Sequence, residues 1–190
     1  MRLFPLLLIL MLFSCRQKKQ DGIKKQTIEN TTDSTLEKKY FPVTEFILGE
    51  IHGIRDKGIN PIKKTGHDSV FLKIESLEKE MADFLTPVIT QTSMVPFFTE
   101  SSFMDQTTNY YTFTYDPREI LPDSISLRHW DVYVDPKKST VWRIYMLKEG
   151  PETMRQLTWE AGRRCQIVEL SKDSTGALSL FRETTIRWDY

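Results

Sequence analysis

Arg128-His129-Trp130-Asp131-Val132-Tyr133-Val134, Asp135-Pro136-Lys137-Lys138 and Ser139-Thr140-Val141-Trp142-Arg143-Ile144-Tyr145-Met146 follow one another without a break. Read together they are a strand, a turn and a returning strand. Trp130, Val132 and Val134 alternate with His129, Asp131 and Tyr133, the period of two that sends successive side chains to opposite faces of a sheet. Pro136 sets φ for the second turn position and Asp135 favours the first, so the chain reverses there. Trp142, Ile144 and Met146 then come back along the partner strand.

The same alternation extends in both directions. Upstream, Tyr111, Phe113 and Tyr115 alternate with Thr112 and Thr114 until Asp116-Pro117 breaks the run. Downstream, Gln156 to Glu160, Cys165 to Leu170 and Leu178 to Trp188 read as strands, divided by Ala161-Gly162 and Lys172-Asp173-Ser174-Thr175-Gly176. Ahead of them the period is helical. Val43, Phe46, Ile47, Ile51 and Ile54 form one stripe, with Thr44 as a capping residue and Gly58 past the end. Leu77, Met81, Phe84, Leu85 and Val88 form a second, with Ser76 at its N-cap and Pro87 to kink or end it. Thr65-Gly66-His67-Asp68 between them suggests a hairpin, and Gln91 to Gln106 reads as a loop. The expected fold class is α+β, an antiparallel β-meander of about five or six strands packed on two helices.

Three segments follow from composition: 1–14, 15–39 and 40–190. In the first, Arg2 precedes the apolar run Leu3 to Phe13, which is shorter than the roughly 20 residues that span a bilayer. Leu12-Phe13-Ser14-Cys15 resembles a lipobox, aliphatic three places before the cysteine and small directly before it, although Phe13 is bulkier than the residue usual there. That resemblance implies a lipoprotein signal peptide cleaved after Ser14, with acyl chains such as palmitate on Cys15 as the link to the membrane. Each buried methylene contributes about 0.8 kcal/mol, so two or more chains give stable attachment. Residues 15–39 carry Lys18, Lys19, Lys24, Lys25, Lys38 and Lys39 among polar residues, with Ile23, Ile28 and Leu36 alone to bury, and read as a flexible tether. Residues 40–190 read as a single domain.

The 26 basic and 26 acidic side chains cancel, and losing residues 1–14 removes only Arg2. This balance argues against a nucleic-acid partner, which selects a basic surface. Cys165 is the single thiol left once Cys15 is lipidated, so no internal disulfide is expected. His52, His67 and His129 lack the spacing of a zinc site, and no GxSxG, GxGxxG, P-loop or HExxH pattern occurs. Neither a metal nor a cofactor is expected. Cys165 with His129 offers a nucleophile and a base, but a lone cysteine on an amphipathic strand reads as a small core residue. Asp131, Asp135, Glu160 and Glu169 share the meander with Arg128, Arg143, Arg163 and Arg164, so cross-strand ion pairing accounts for them without catalysis.

Aromatic residues are the remaining signal. One parity must build the core, which leaves Tyr110, Tyr133 and Tyr145 to line a second face, either an interaction surface for an envelope protein or glycan or a core completed by loops. The expected role is therefore a membrane-anchored, non-enzymatic binding module. The alternative is an enzyme or small-ligand carrier with a pocket between helices and sheet, to which His129, Asp131 and Arg143 contribute polar groups.

Tyr40-Phe41-Pro42-Val43-Thr44, Phe97-Phe98-Thr99-Glu100-Ser101-Ser102-Phe103, Tyr111-Thr112-Phe113-Thr114-Tyr115-Asp116-Pro117, Trp130-Asp131-Val132-Tyr133-Val134-Asp135-Pro136 and Gln156-Leu157-Thr158-Trp159 together resemble a family of small uncharacterised lipoproteins of Bacteroidota. The resemblance spans the chain after the tether. It implies lipidation and one domain, and the family has no established activity to transfer. In related bacteria an acidic stretch after the lipidated cysteine favours export to the surface; Arg16-Gln17-Lys18-Lys19 departs from it, which implies an anchor in the cell envelope facing the periplasm.

Overall fold

The computed structural model describes residues 40–90 and 92–189, within the compact unit Lys39–Tyr190. The lipoprotein signal peptide expected at 1–14, the lipidation expected at Cys15 and the tether expected at 15–39 lie outside the described residues. Helix α1 (Val43–Asp56) forms where the first apolar stripe predicts it, and Val43, Ile47, Ile51 and Ile54 are all buried. Thr44 does not cap it. Its hydroxyl is buried in the first turn and accepts the main-chain N–H of Ile89 at 3.0 Å, tying the helix to the segment that follows α3. Gly58 adopts φ +66°, a conformation that costs other residues about 1–2 kcal/mol, and turns the chain out of the helix.

The strands are β1 (Ile62–Thr65), β2 (Asp68–Phe71), β3 (Phe98–Asp105), β4 (Tyr110–Pro117), β5 (Leu127–Asp135), β6 (Thr140–Glu149), β7 (Thr153–Glu160), β8 (Arg164–Lys172) and β9 (Leu178–Arg187). They form one nine-stranded antiparallel sheet in the order β2-β1-β9-β8-β7-β6-β5-β4-β3. From β3 to β9 the chain meanders. The β1–β2 hairpin then joins the last strand, with Ile62 opposite Arg187 and Thr65 opposite Thr184.

This corrects the α+β expectation of about five or six strands on two helices. The fold is β-rich. The predicted hairpin is present, but it belongs to the main sheet. Strand β3 lies in the segment read as a loop; it is an edge strand with one neighbour and only Phe98 buried, so it carries little apolar alternation. The second apolar stripe does not make a continuous helix. It makes a 3₁₀ turn at Ile74–Ser76, then α2 (Leu77–Glu80) and α3 (Ala82–Leu85), with Met81 between them at φ −106°, ψ 12°. Leu77, Met81 and Phe84 are buried regardless, because docking on the sheet supplies the stability that helical continuity would. Thr86 is extended ahead of Pro87, as the proline ring requires, and Val88 is exposed.

Helices and sheet meet on one face only. Trp130 lies against Tyr115, rings parallel within 9° and 4.5 Å apart, and against Phe98 at 4.5 Å. Trp159 packs on Phe84 of α3 at 5.4 Å and on Trp188 at 5.1 Å. Lys148 of β6 is buried under α3, its ammonium donating to the main-chain oxygens of Asp83 and Thr86, and burial lowers its pKa to about 8. Strand alternation sends the opposite parity to the face without helices.

Candidate functional site

On that helix-free face the registers of β4, β5 and β6 set Thr112 beside Tyr133 and Arg143, and Thr114 beside Asp131 and Tyr145. Asp131 is the hub. It accepts from the Thr114 hydroxyl at 2.6 Å and the Tyr133 phenol at 3.1 Å, and lies 3.1 Å from His129 Nε2. His129 Nδ1 lies 2.7 Å from Asp116 Oδ1, so the imidazole is held between two carboxylates. The Asp131 interaction is the larger cause that raises the His129 pKa, with Asp116 adding to it against the cost of burial; the result is about 9 and an imidazolium at neutral pH. Desolvation alone would push Asp131 up, but the bonds from His129, Thr114 and Tyr133 outweigh it and hold its carboxyl below the usual range. Burial, then the charge of Asp131, raises the phenol pKa values of Tyr133 and Tyr145.

Beside this polar chain lies an aromatic cluster. Between β5 and β6 the register slips: Tyr133 pairs with Arg143 but Val134 pairs with Val141, leaving Trp142 as the extra residue of a bulge. Its ring joins Tyr110 at 5.0 Å and Tyr133 at 6.1 Å. The Arg143 guanidinium caps the cluster, 4.0 Å from the centre of the Tyr133 ring and 4.9 Å from that of Trp142. Tyr145 stands 6.1 Å from the His129 ring, edge-on.

The structure therefore brings Tyr110, Tyr133, Tyr145, His129, Asp131 and Arg143 together on one face. It does not set His129, Asp131 and Arg143 in a pocket between helices and sheet, because they lie on the helix-free face; the core on the other face is built by Trp130, Trp159, Phe84 and Leu127. Cys165 is buried in the core between Trp159 and Ile186, across the sheet from His129, and burial pushes its thiol pKa up, so the two make no nucleophile–base pair. Glu160 pairs with Arg164 at 2.7 Å and Glu169 with Arg182 at 3.0 Å. Asp135 closes its turn by accepting the Lys137 N–H at 2.9 Å. Among the described residues no group of three or more His, Cys, Asp or Glu side chains is placed to hold a metal ion.

Sequence reasoning missed Thr114, Asp116 and Trp142. The first two sit on β4, and only its register against β5 reveals their role. Trp142 has the parity of Ile144 and Met146, and the bulge reverses it. No helix among the described residues is long and apolar enough to cross a membrane. No family model, curated protein or solved structure matches the chain.

Proposed function

We propose that the chain is a lipoprotein of the bacterial cell envelope, anchored through acyl chains on Cys15 and facing the periplasm. Its domain acts as a non-enzymatic binding module that contacts an envelope protein or glycan through the Tyr110–Trp142–Tyr133–Arg143 cluster. The observation that carries this reading is the closure of the neighbouring polar chain. Both nitrogens of His129 lie on carboxylates and Asp131 takes three partners, so the hydrogen bonds of this chain are met within it rather than aimed at a substrate. What the cluster offers instead is ring area and the Arg143 guanidinium, held at low conformational cost by the sheet beneath.

The test is capture from crosslinked envelopes with the wild type and with a Tyr110→Ala, Tyr145→Ala double variant of unchanged melting temperature. Neither phenol takes part in the Asp131 network, so the fold should survive. A partner retained by the wild type and lost from the variant supports the module. Equal capture by both refutes this face as the contact.

A further inference from the structure

We infer that the other end of the helix-free face is a second binding site, for a small organic monocarboxylate with an apolar body. Strands β2, β1 and β9 enclose a cavity of about 470 Å³ there, within the roughly 300–1,000 Å³ usual for small-molecule sites. Two cross-strand rows build it. Ser69 pairs with Lys64 and Lys64 with Thr185, which places Lys64 between two hydroxyl-bearing residues in one row. Phe71 pairs with Ile62 and Ile62 with Arg187, which sets an apolar wall beside a guanidinium.

The charges select the ligand. Lys63, on the opposite face, is neutralised by Glu80 at 2.7 Å. Lys64 has no ion pair, and Ser69 and Thr185 make no side-chain hydrogen bond, among the described residues. Arg187 gives Nε and one Nη to Asp189 Oδ1 at 3.2 and 3.0 Å, and its other Nη has no hydrogen bond among the described residues. Glu183 also lines the cavity, oriented by Gln166 at 2.7 Å. Asp189 balances Arg187, so Lys64 is the cation of this site without an ion pair among the described residues; it attracts a single negative charge, and Glu183 opposes a second. Ile62 lines the cavity for the apolar body, and Phe71, its cross-strand neighbour and 66% exposed, lies next to it on β2. A carboxylate head on Lys64, Ser69 and Thr185, with its body along Ile62, uses the cation, the hydroxyls and the apolar side chain that line the cavity.

The experiment is calorimetric titration of the folded protein with 4-phenylbutyrate, its alcohol 4-phenylbutanol and inorganic phosphate. The acid should bind saturably, at least about tenfold tighter than the alcohol or phosphate. Lys64→Met should weaken the acid by about tenfold or more, and Glu183→Gln, which keeps a partner for Gln166, should tighten it. Neither substitution touches the core, and unchanged melting temperatures confirm it. Equal binding of acid and alcohol, preference for phosphate, equal affinity in Lys64→Met, or no saturable binding of the acid at millimolar concentration each overturns the assignment.

Discussion

Replacing His129 by glutamine keeps a hydrogen-bonding side chain between Asp116 and Asp131 but removes the titrating charge. The folded-state pKa of about 9 lies above the ordinary 6.5, and at about 1.4 kcal/mol per unit the imidazolium stabilises the fold by at most about 3.5 kcal/mol. Asp116 is 61% exposed and its share is screened by water, so about 2 kcal/mol is the expected value. The sign follows from the upward shift. Stabilisation is complete below about pH 6.5, where both folded and unfolded histidine are charged, and is lost as pH rises toward about 9. Urea unfolding of wild type and His129→Gln should thus give a stability difference that falls by about 2 kcal/mol across that window. Lys148 works in the opposite sense: its lowered pKa makes folding more favourable as pH rises above about 8. It is common to both proteins and cancels in the difference. Tyr133 and Tyr145, which also face His129, have raised pKa values and stay neutral throughout. A difference that is flat with pH, or that grows toward alkaline pH, refutes the assignment of the imidazolium to this site.

Thr44→Val keeps the side-chain shape but leaves the buried Ile89 N–H without its acceptor, and should destabilise the domain by about 1–3 kcal/mol in denaturant titration. Trp130→Ala empties the centre of the core between Tyr115 and Phe98, for a loss of about 3–5 kcal/mol by the same measurement. Thr44 and His129 lie on opposite sides of the sheet and share no partner, so the Thr44→Val, His129→Gln double variant should show additivity within about 0.5 kcal/mol. Cys15→Ala should move the protein from the membrane to the soluble fraction on cell fractionation; retention in the membrane refutes the lipid anchor.

What the sequence disclosed follows from where apolar contrast is strong. Strands β5 and β6 bury Trp130, Val132, Ile144 and Met146 against polar neighbours, so their period of two is plain. Strands β1, β2 and β3 were missed as members of the sheet because they lie at or near its edges; Val70, Phe71 and Phe103 are exposed, and contrast between faces disappears. The second helix was overread because the spacing of Leu77, Met81 and Phe84 reports which side chains are buried, not whether the backbone between them stays helical. The site was half legible. His129, Asp131 and Tyr133 share a strand and a parity, but Thr114 and Asp116 reach them only through a register set by whole-sheet packing, and Trp142 only through a bulge that periodicity cannot register.

The arrangement around Asp131 also explains why a histidine stands where an arginine is at hand. The carboxylate of Asp131, a residue only 9% exposed, must be compensated, and Arg143 lies on the neighbouring strand, two register positions from the Asp131–Tyr145 pair. Were Arg143 drawn to Asp131, its guanidinium would leave the rings of Tyr133 and Trp142, and the cluster would lose its cation. His129 meets the charge requirement from within β5. It is short enough to stay in the plane of the polar chain, and its second nitrogen reaches Asp116, which fixes the imidazole from both sides. Tyr133 then links the two halves, with its hydroxyl on Asp131 and its ring under Arg143. Because one residue serves both, the polar chain orients the aromatic face, and losing the imidazolium should loosen the rings as well as the fold.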